Sequence, residues 1–245
     1  MDFAIHATDG TIGKTRNLWF DQEDWTIRYL VVSTGNWLKK NEVLVSPIFI
    51  KELSWAEREV YVSLTREQVK NSPPLESRTP ISRKQEMEFY SYYRTPNYWA
   101  GYGLWGTGMH PEDILSLAKQ PTPATRRSPS APEEDQVHLR STQEISKYRV
   151  FANRGEVGKI EDFIFDDRSW AIRYMVVAPA KLLPGRKVLL SPSWTEDISW
   201  KQKLVFVDIE NSKIEDAPSY DPEQPVTPEY EEELIRHYKR PATWK

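Results

Sequence analysis

At 245 residues the chain has room for one or two domains, and its 39% hydrophobic and 12% aromatic content supports a core in each. The absence of cysteine excludes disulfides and thiolate metal sites, and a formal net charge of −3 gives no general attraction to nucleic acid or anionic lipid. The opening Met1-Asp-Phe-Ala-Ile5 lacks the basic and then apolar pattern of a leader, and no apolar run approaches the roughly 20 residues of a membrane-spanning helix. A soluble, cytoplasmic protein without a transmembrane segment is therefore expected.

Segments rich in β-branched and aromatic residues predict strands over Phe3–Thr8, Lys14–Asp21, Trp25–Ser33, Glu42–Ser46, Ile48–Ser54 and Arg58–Leu64. Turn residues separate them at Asp9-Gly10, Gln22-Glu23-Asp24, Thr34-Gly35-Asn36 and Trp55-Ala56-Glu57. Six short strands predict a small, closed or nearly closed antiparallel barrel, because closure removes the edges so small a sheet would expose. Thr65-Arg-Glu-Gln68 is a capping box for a short helix ended by Pro73-Pro74, and Ser82-Arg-Lys-Gln85 opens a longer helix to about Arg94. An aromatic tail, Tyr92-Tyr93 through Tyr98-Trp99, is expected to lie back on the barrel. Beyond it, Ala100–Gly108 alternates glycine with large apolar residues, and Gln120–Pro132 has a linker composition.

The chain then repeats itself at a constant offset. Gly10-Thr-Ile-Gly13-Lys14 returns as Gly155-Glu-Val-Gly158-Lys159, and Trp25-Thr-Ile-Arg-Tyr-Leu-Val-Val32 as Trp170-Ala-Ile-Arg-Tyr-Met-Val-Val177. The register continues through Ser46-Pro47 and Ser191-Pro192, Pro80 and Pro225, Tyr93 and Tyr238, and Trp99 and Trp244. Each copy is too long for a solenoid repeat and long enough for its own core. The predicted organisation is a mainly β chain of two small barrels, over residues 1–99 and 138–245, each with a C-terminal helix and aromatic tail, joined by a linker over 100–137. In the second copy Thr227 caps the helix and Pro228 takes its first position.

Few residues suggest chemistry. Thr8-Asp-Gly-Thr-Ile-Gly13-Lys14-Thr15 imitates a phosphate-binding loop, but Thr8 stands where glycine is required, a strand follows, and Ile160 replaces the metal-binding hydroxyl in the second copy. Asp21, Glu23 and Asp24, matched by Asp166 and Asp167, are turn carboxylates. None of the four histidines, His6, His110, His138 and His237, recurs in both copies or has ligand spacing, so neither metal nor cofactor is expected. Arg28 and Arg173, flanked by apolar residues in mid-strand, must either reach solvent along their stems or find carboxylates or carbonyls; a structural ion pair is expected at each, with ligand or partner contact the alternative. The stretch Asp208–Glu233 is strongly acidic and argues against a nucleic-acid stacking surface. The aromatic excess lies in Tyr98, Trp99, Tyr102 and Trp105, the candidate contacts for a partner, with a cover over an exposed barrel face as the alternative reading of the stretch after Trp99.

Ala7-Thr-Asp-Gly10-Thr-Ile-Gly13, Trp25-Thr-Ile-Arg-Tyr-Leu-Val-Val-Ser-Thr-Gly-Asn-Trp37 and Val43-Leu-Val-Ser-Pro47, with their second copies, resemble the PRC-barrel family. The helix with its Tyr-Tyr, Pro and Trp tail also resembles the extension of many bacterial stand-alone members. The resemblance implies a barrel like the cytoplasmic domain of the photosynthetic reaction centre H subunit, which caps a membrane complex and influences proton delivery to a quinone. It equally implies likeness to the C-terminal domain of a ribosome-maturation factor, which docks on a ribosomal protein. Neither is catalytic by itself, and no motif here matches a proton-path residue. The expectation is a non-enzymatic bacterial module that binds a protein partner or itself. Peripheral membership of a membrane electron-transfer assembly and association with the ribosome are the alternatives.

Overall fold

The computed structural model describes residues 2–35, 42–73, 81–117, 138–180 and 185–240; Trp37, Pro80, the Gln120–Pro132 linker and Trp244 lie outside the described residues. The chain divides into two compact units, Met1–Ser141 with Asp167–Ala171, and Thr142–Asp166 with Ile172–Lys245.

The first unit is built on β1 (Ala4–Ala7), β2 (Gly10–Asp21), β3 (Ile27–Ser33), β4 (Glu42–Val45), β5 (Ile50–Ser54) and β6 (Glu59–Val62), in the sheet order β4-β3-β2-β1-β6-β5. A seventh strand, β7 (Leu139–Ser141), pairs antiparallel with Trp19–Asp21 of β2. The second unit uses β8 (Arg149–Ala152), β9 (Gly155–Phe165), β10 (Ile172–Pro179), β11 (Val188–Leu190), β12 (Thr195–Ser199) and β13 (Leu204–Val207) in the order β11-β10-β9-β8-β13-β12. Both are mainly antiparallel sheets, with two corrections to the expected barrel. The pairs β1–β6 and β8–β13 run parallel. The end strands of each order, β4 and β5 or β11 and β12, are not hydrogen-bonded to one another, so each sheet is open. Between these edges the chain crosses by a single 3₁₀ turn, Pro47–Phe49 or Pro192–Trp194, which carries it over without reversing it.

Irregularities recur at matched positions. The β1–β2 register slips between Ile5 and His6, and the β8–β9 register between Val150 and Phe151. Left-handed backbone appears at Trp25 and Trp170 (φ 53° and 63°), Arg58 and Lys203 (56° and 59°), and Arg94 and Lys239 (53° and 55°). For tryptophan this conformation is costly. At Trp25 it is offset by stacking on Phe20 at 5.1 Å and by nearly complete burial. Gly13 and Gly158 answer a different demand: a Cβ there would lie 1.9 Å from the Ser33 carbonyl oxygen and 2.2 Å from that of Ala178. The close approach of neighbouring strands excludes any side chain at these two positions.

The helices of the first unit are α1 (Arg66–Lys70), α2 (Arg83–Tyr93) and α3 (Pro111–Leu117). Thr65 with Gln68 and Ser82 with Gln85 form complete capping boxes for α1 and α2. The second unit has α4 (Thr142–Ile145), α5 (Asn211–Glu215) and α6 (Pro228–Tyr238), the last capped by Thr227. Phe89 of α2 docks edge-on against Tyr29 at 5.1 Å, and Tyr93 packs on Phe49 at 4.7 Å. The matching contact on α6 is Trp194 with Tyr238 at 4.6 Å. Each long helix is therefore pinned by aromatic burial against its own sheet.

Candidate functional site

The first unit holds a cluster of charges in its interior. β3 brings in Arg28 (1% exposed) and Tyr29, α2 brings Arg83 and Glu86 (0% exposed), the end of β2 brings Asp21, and the tail brings Tyr98. His138, just before β7, closes the set. Glu86 is its centre. Its Oε1 accepts from Tyr29 Oη at 3.0 Å, and its Oε2 lies 3.0 Å from Arg83 Nη1 and 2.5 Å from His138 Nε2. Arg83 also donates to Tyr98 Oη at 2.9 Å, and Tyr98 donates to Asp21 Oδ2 at 3.2 Å. Arg28 donates to Asp24 Oδ2 and to the Leu104 carbonyl, both at 2.5 Å. Aromatic faces cover the guanidinium groups: Tyr98 lies 3.8 Å and Trp105 4.7 Å from that of Arg28, and Trp99 lies 4.1 Å from that of Arg83.

Burial and neighbours shift the protons these groups hold. Burial alone would discharge the His138 imidazole, but its bond to Glu86 outweighs that and raises its pKa. Burial raises the Tyr29 and Tyr98 hydroxyls well above the ordinary phenol range, with Glu86 adding to both. Asp24 is pushed up to about 6 by burial, against the pull of Arg28.

The second unit repeats part of this arrangement. Tyr174 donates to Glu231 Oε1 at 3.0 Å, matching Tyr29 and Glu86 across the repeat. Arg173 also reaches Glu231 Oε1, at 2.9 Å, because Ser169 occupies the position equivalent to Asp24. That pair is open to solvent, at 29% and 30% exposure, and Pro228 stands at the position that matches Arg83.

The sequence-derived candidates distribute as follows. Arg28 and Arg173 face Asp24 and Glu231 respectively. Asp21 makes its turn bond, accepting from Glu23 N at 3.0 Å, yet it is buried rather than solvated because its other oxygen takes Tyr98. Asp166 is half-buried, and Asp167 accepts from Trp55 Nε1 at 2.9 Å within the first unit. Of the four aromatics expected at a partner surface, Tyr98 and Trp105 are instead in the core, because the buried guanidinium of Arg28 requires their faces as cover. Trp99 is half-buried and Tyr102 fully exposed. Glu86 and Arg83 were not singled out from the sequence, His138 was weighed only as a metal ligand, and Asp24 was named only with the turn carboxylates. The available signal was the matched pair Tyr29/Glu86 and Tyr174/Glu231, two polar positions kept at the repeat offset.

The alternating glycines after Trp99 prove to be steric. Gly103 N donates to Gly106 O at 2.8 Å and Trp105 N to Gly108 O at 2.9 Å, folding the loop tightly on itself. A Cβ on Gly101 or Gly103 would come within 2.2 Å of the Gly106 or Gly108 carbonyl oxygen. Comparison with protein-family models and with curated proteins found no match to the chain. No helix among the described residues is long and apolar enough to cross a membrane.

Proposed function

We propose that this chain is a non-catalytic protein-interaction or assembly module made of two PRC-barrel-type units. The twice-used strand order, the matched bulges and the matched left-handed residues support one ancestral unit used twice. The charged cluster favours a structural role over catalysis, because its carboxylates are engaged by guanidinium, imidazole, hydroxyl or backbone groups of the same unit and its cations are roofed by aromatic rings.

The observation that carries the interaction reading is the 100–108 loop. Its backbone is held by internal hydrogen bonds, and it presents Tyr102 wholly to solvent. A rigidly presented aromatic loses little conformational entropy on binding and is a common interface anchor. Size-exclusion chromatography with light scattering, together with affinity capture from native lysate, tests this with wild type and Tyr102→Ser. Wild type is expected to self-associate or retain a partner, and the variant to lose that association with an unchanged circular dichroism spectrum. A wild-type monomer that captures nothing above background refutes the reading.

A further inference from the structure

Strand β7 does not belong to the repeated fold. Among the described residues the second sheet has six strands and no counterpart to it. β3 occupies one edge of β2 from Lys14 to Phe20, while β1 takes the other edge only from Gly10 to Lys14. Among the described residues the end of that edge is covered by Leu139–Ser141, opposite Trp19, Phe20 and Asp21. Three residues of ladder are a weak attachment, so side chains must hold the segment. Asn17 Nδ2 donates to Ser141 Oγ at 2.8 Å, Arg140 Nε donates to Gln22 Oε1 at 3.0 Å, and Leu139 is fully buried. His138 reaches furthest inward, to Glu86 Oε2 at 2.5 Å and Tyr98 Oη at 3.3 Å.

We propose that His138 is a proton-operated latch that fastens β7 to the edge of β2. The charge balance of the cluster carries the argument. Arg28 from β3 and Arg83 from α2 oppose three carboxylates, Asp21 from β2, Asp24 from the following turn and Glu86 from α2. The tyrosines that touch the cluster, Tyr29, Tyr90 and Tyr98, have hydroxyls raised by burial and remain neutral through the physiological range. Arg140, on β7 itself, is bound to Gln22. Above about pH 6, where Asp24 is ionised, the cluster holds one unmatched negative charge with His138 uncharged; with His138 protonated it is balanced, and the Glu86 contact becomes a charge-assisted hydrogen bond. The segment is therefore held most tightly in the protonated state and loosens as pH rises. Loosening bares the backbone donors and acceptors of Trp19–Asp21, an open strand edge of the kind that accepts an added strand.

The test uses the full chain. NMR follows the His138 imidazole, assigned by comparison with His138→Gln, and amide exchange corrected for intrinsic pH dependence follows the Gln22 N–H, which donates to the His138 carbonyl at 2.9 Å. The expected result is an imidazole that titrates above the ordinary histidine value. Gln22 protection should fall over the same interval by up to about tenfold per pH unit, the limit for one linked proton. In His138→Gln that pH dependence should vanish; in Asp24→Asn, which removes one of the three carboxylates, it should persist through the Glu86 contact but move to lower pH. The wild-type titration stands alone should His138→Gln fail to fold. Gln22 protection indifferent to pH, a dependence lost in Asp24→Asn, or loss of protection by all amides of the unit together would each overturn the latch.

Discussion

Replacing Glu86 with alanine is expected to be far more damaging than replacing Glu231, its counterpart in the second repeat. Glu86 is fully buried and serves Tyr29, Arg83 and His138 at once. Its removal takes the carboxylate from a buried guanidinium, an imidazole and a hydroxyl at once, and breaking a buried pair in this way costs about 3–5 kcal/mol. Glu231 holds the same position in the repeat, but it and Arg173 are both close to one-third exposed, so water replaces the lost contacts. An exposed pair contributes about 0.2–1 kcal/mol, and the Tyr174 hydrogen bond about 1 kcal/mol more. The difference of a few kcal/mol is a large part of the roughly 5–15 kcal/mol that stabilises a typical domain. Urea unfolding followed by circular dichroism measures the total, and peptide-resolved hydrogen exchange assigns each loss to its unit. Equal costs within about 0.5 kcal/mol, the experimental scatter for independent sites, would refute burial as the deciding factor.

Three further outcomes follow from the same geometry. Gly13→Ala and Gly158→Ala should each cost at least about 2 kcal/mol, since the new Cβ meets a neighbouring backbone carbonyl, whereas Gly35→Ala, with open space at φ 62°, should cost about 1 kcal/mol for its backbone conformation alone; thermal melts distinguish them. Arg28→Met should lose about 2–3 kcal/mol through the Asp24 and Leu104 bonds and the aromatic cover, and Arg173→Met less than about 1 kcal/mol, as read by urea midpoints. The folded pKa of His138 is raised, so the stability it contributes is complete below its unfolded value of about 6.5 and is lost as pH rises through the folded value. Urea midpoints of wild type should therefore fall relative to those of His138→Gln on going from pH 6 to pH 9.

Strands, turns and helix caps were readable because each depends on a few neighbouring residues. Thr65 with Gln68, Ser82 with Gln85, and Thr227 before Pro228 act within four positions, and the helices begin there. The repeat added more: Gly13 and Gly158 stand in one register because both copies bring strands to the same close approach. Other features were decided only by packing. The parallel pairing of β1 with β6 depends on how the chain crosses from one edge of the sheet to the other, which no local pattern encodes. The charged cluster joins Asp21, Arg28, Glu86, Tyr98 and His138 across more than a hundred positions of sequence. Trp25 was readable as a repeated residue, but its left-handed backbone was not. The tail was expected to lie back on its sheet, and Tyr98 does, but Trp105 looked like a surface aromatic because burial is a property of the folded chain; only the three-dimensional placement of Arg28 turned both faces inward. Sequence determined the order of the repeated strands and the capped starts of α1, α2 and α6, which depend on neighbouring residues; tertiary structure decided which charges are sealed inside and which meet water.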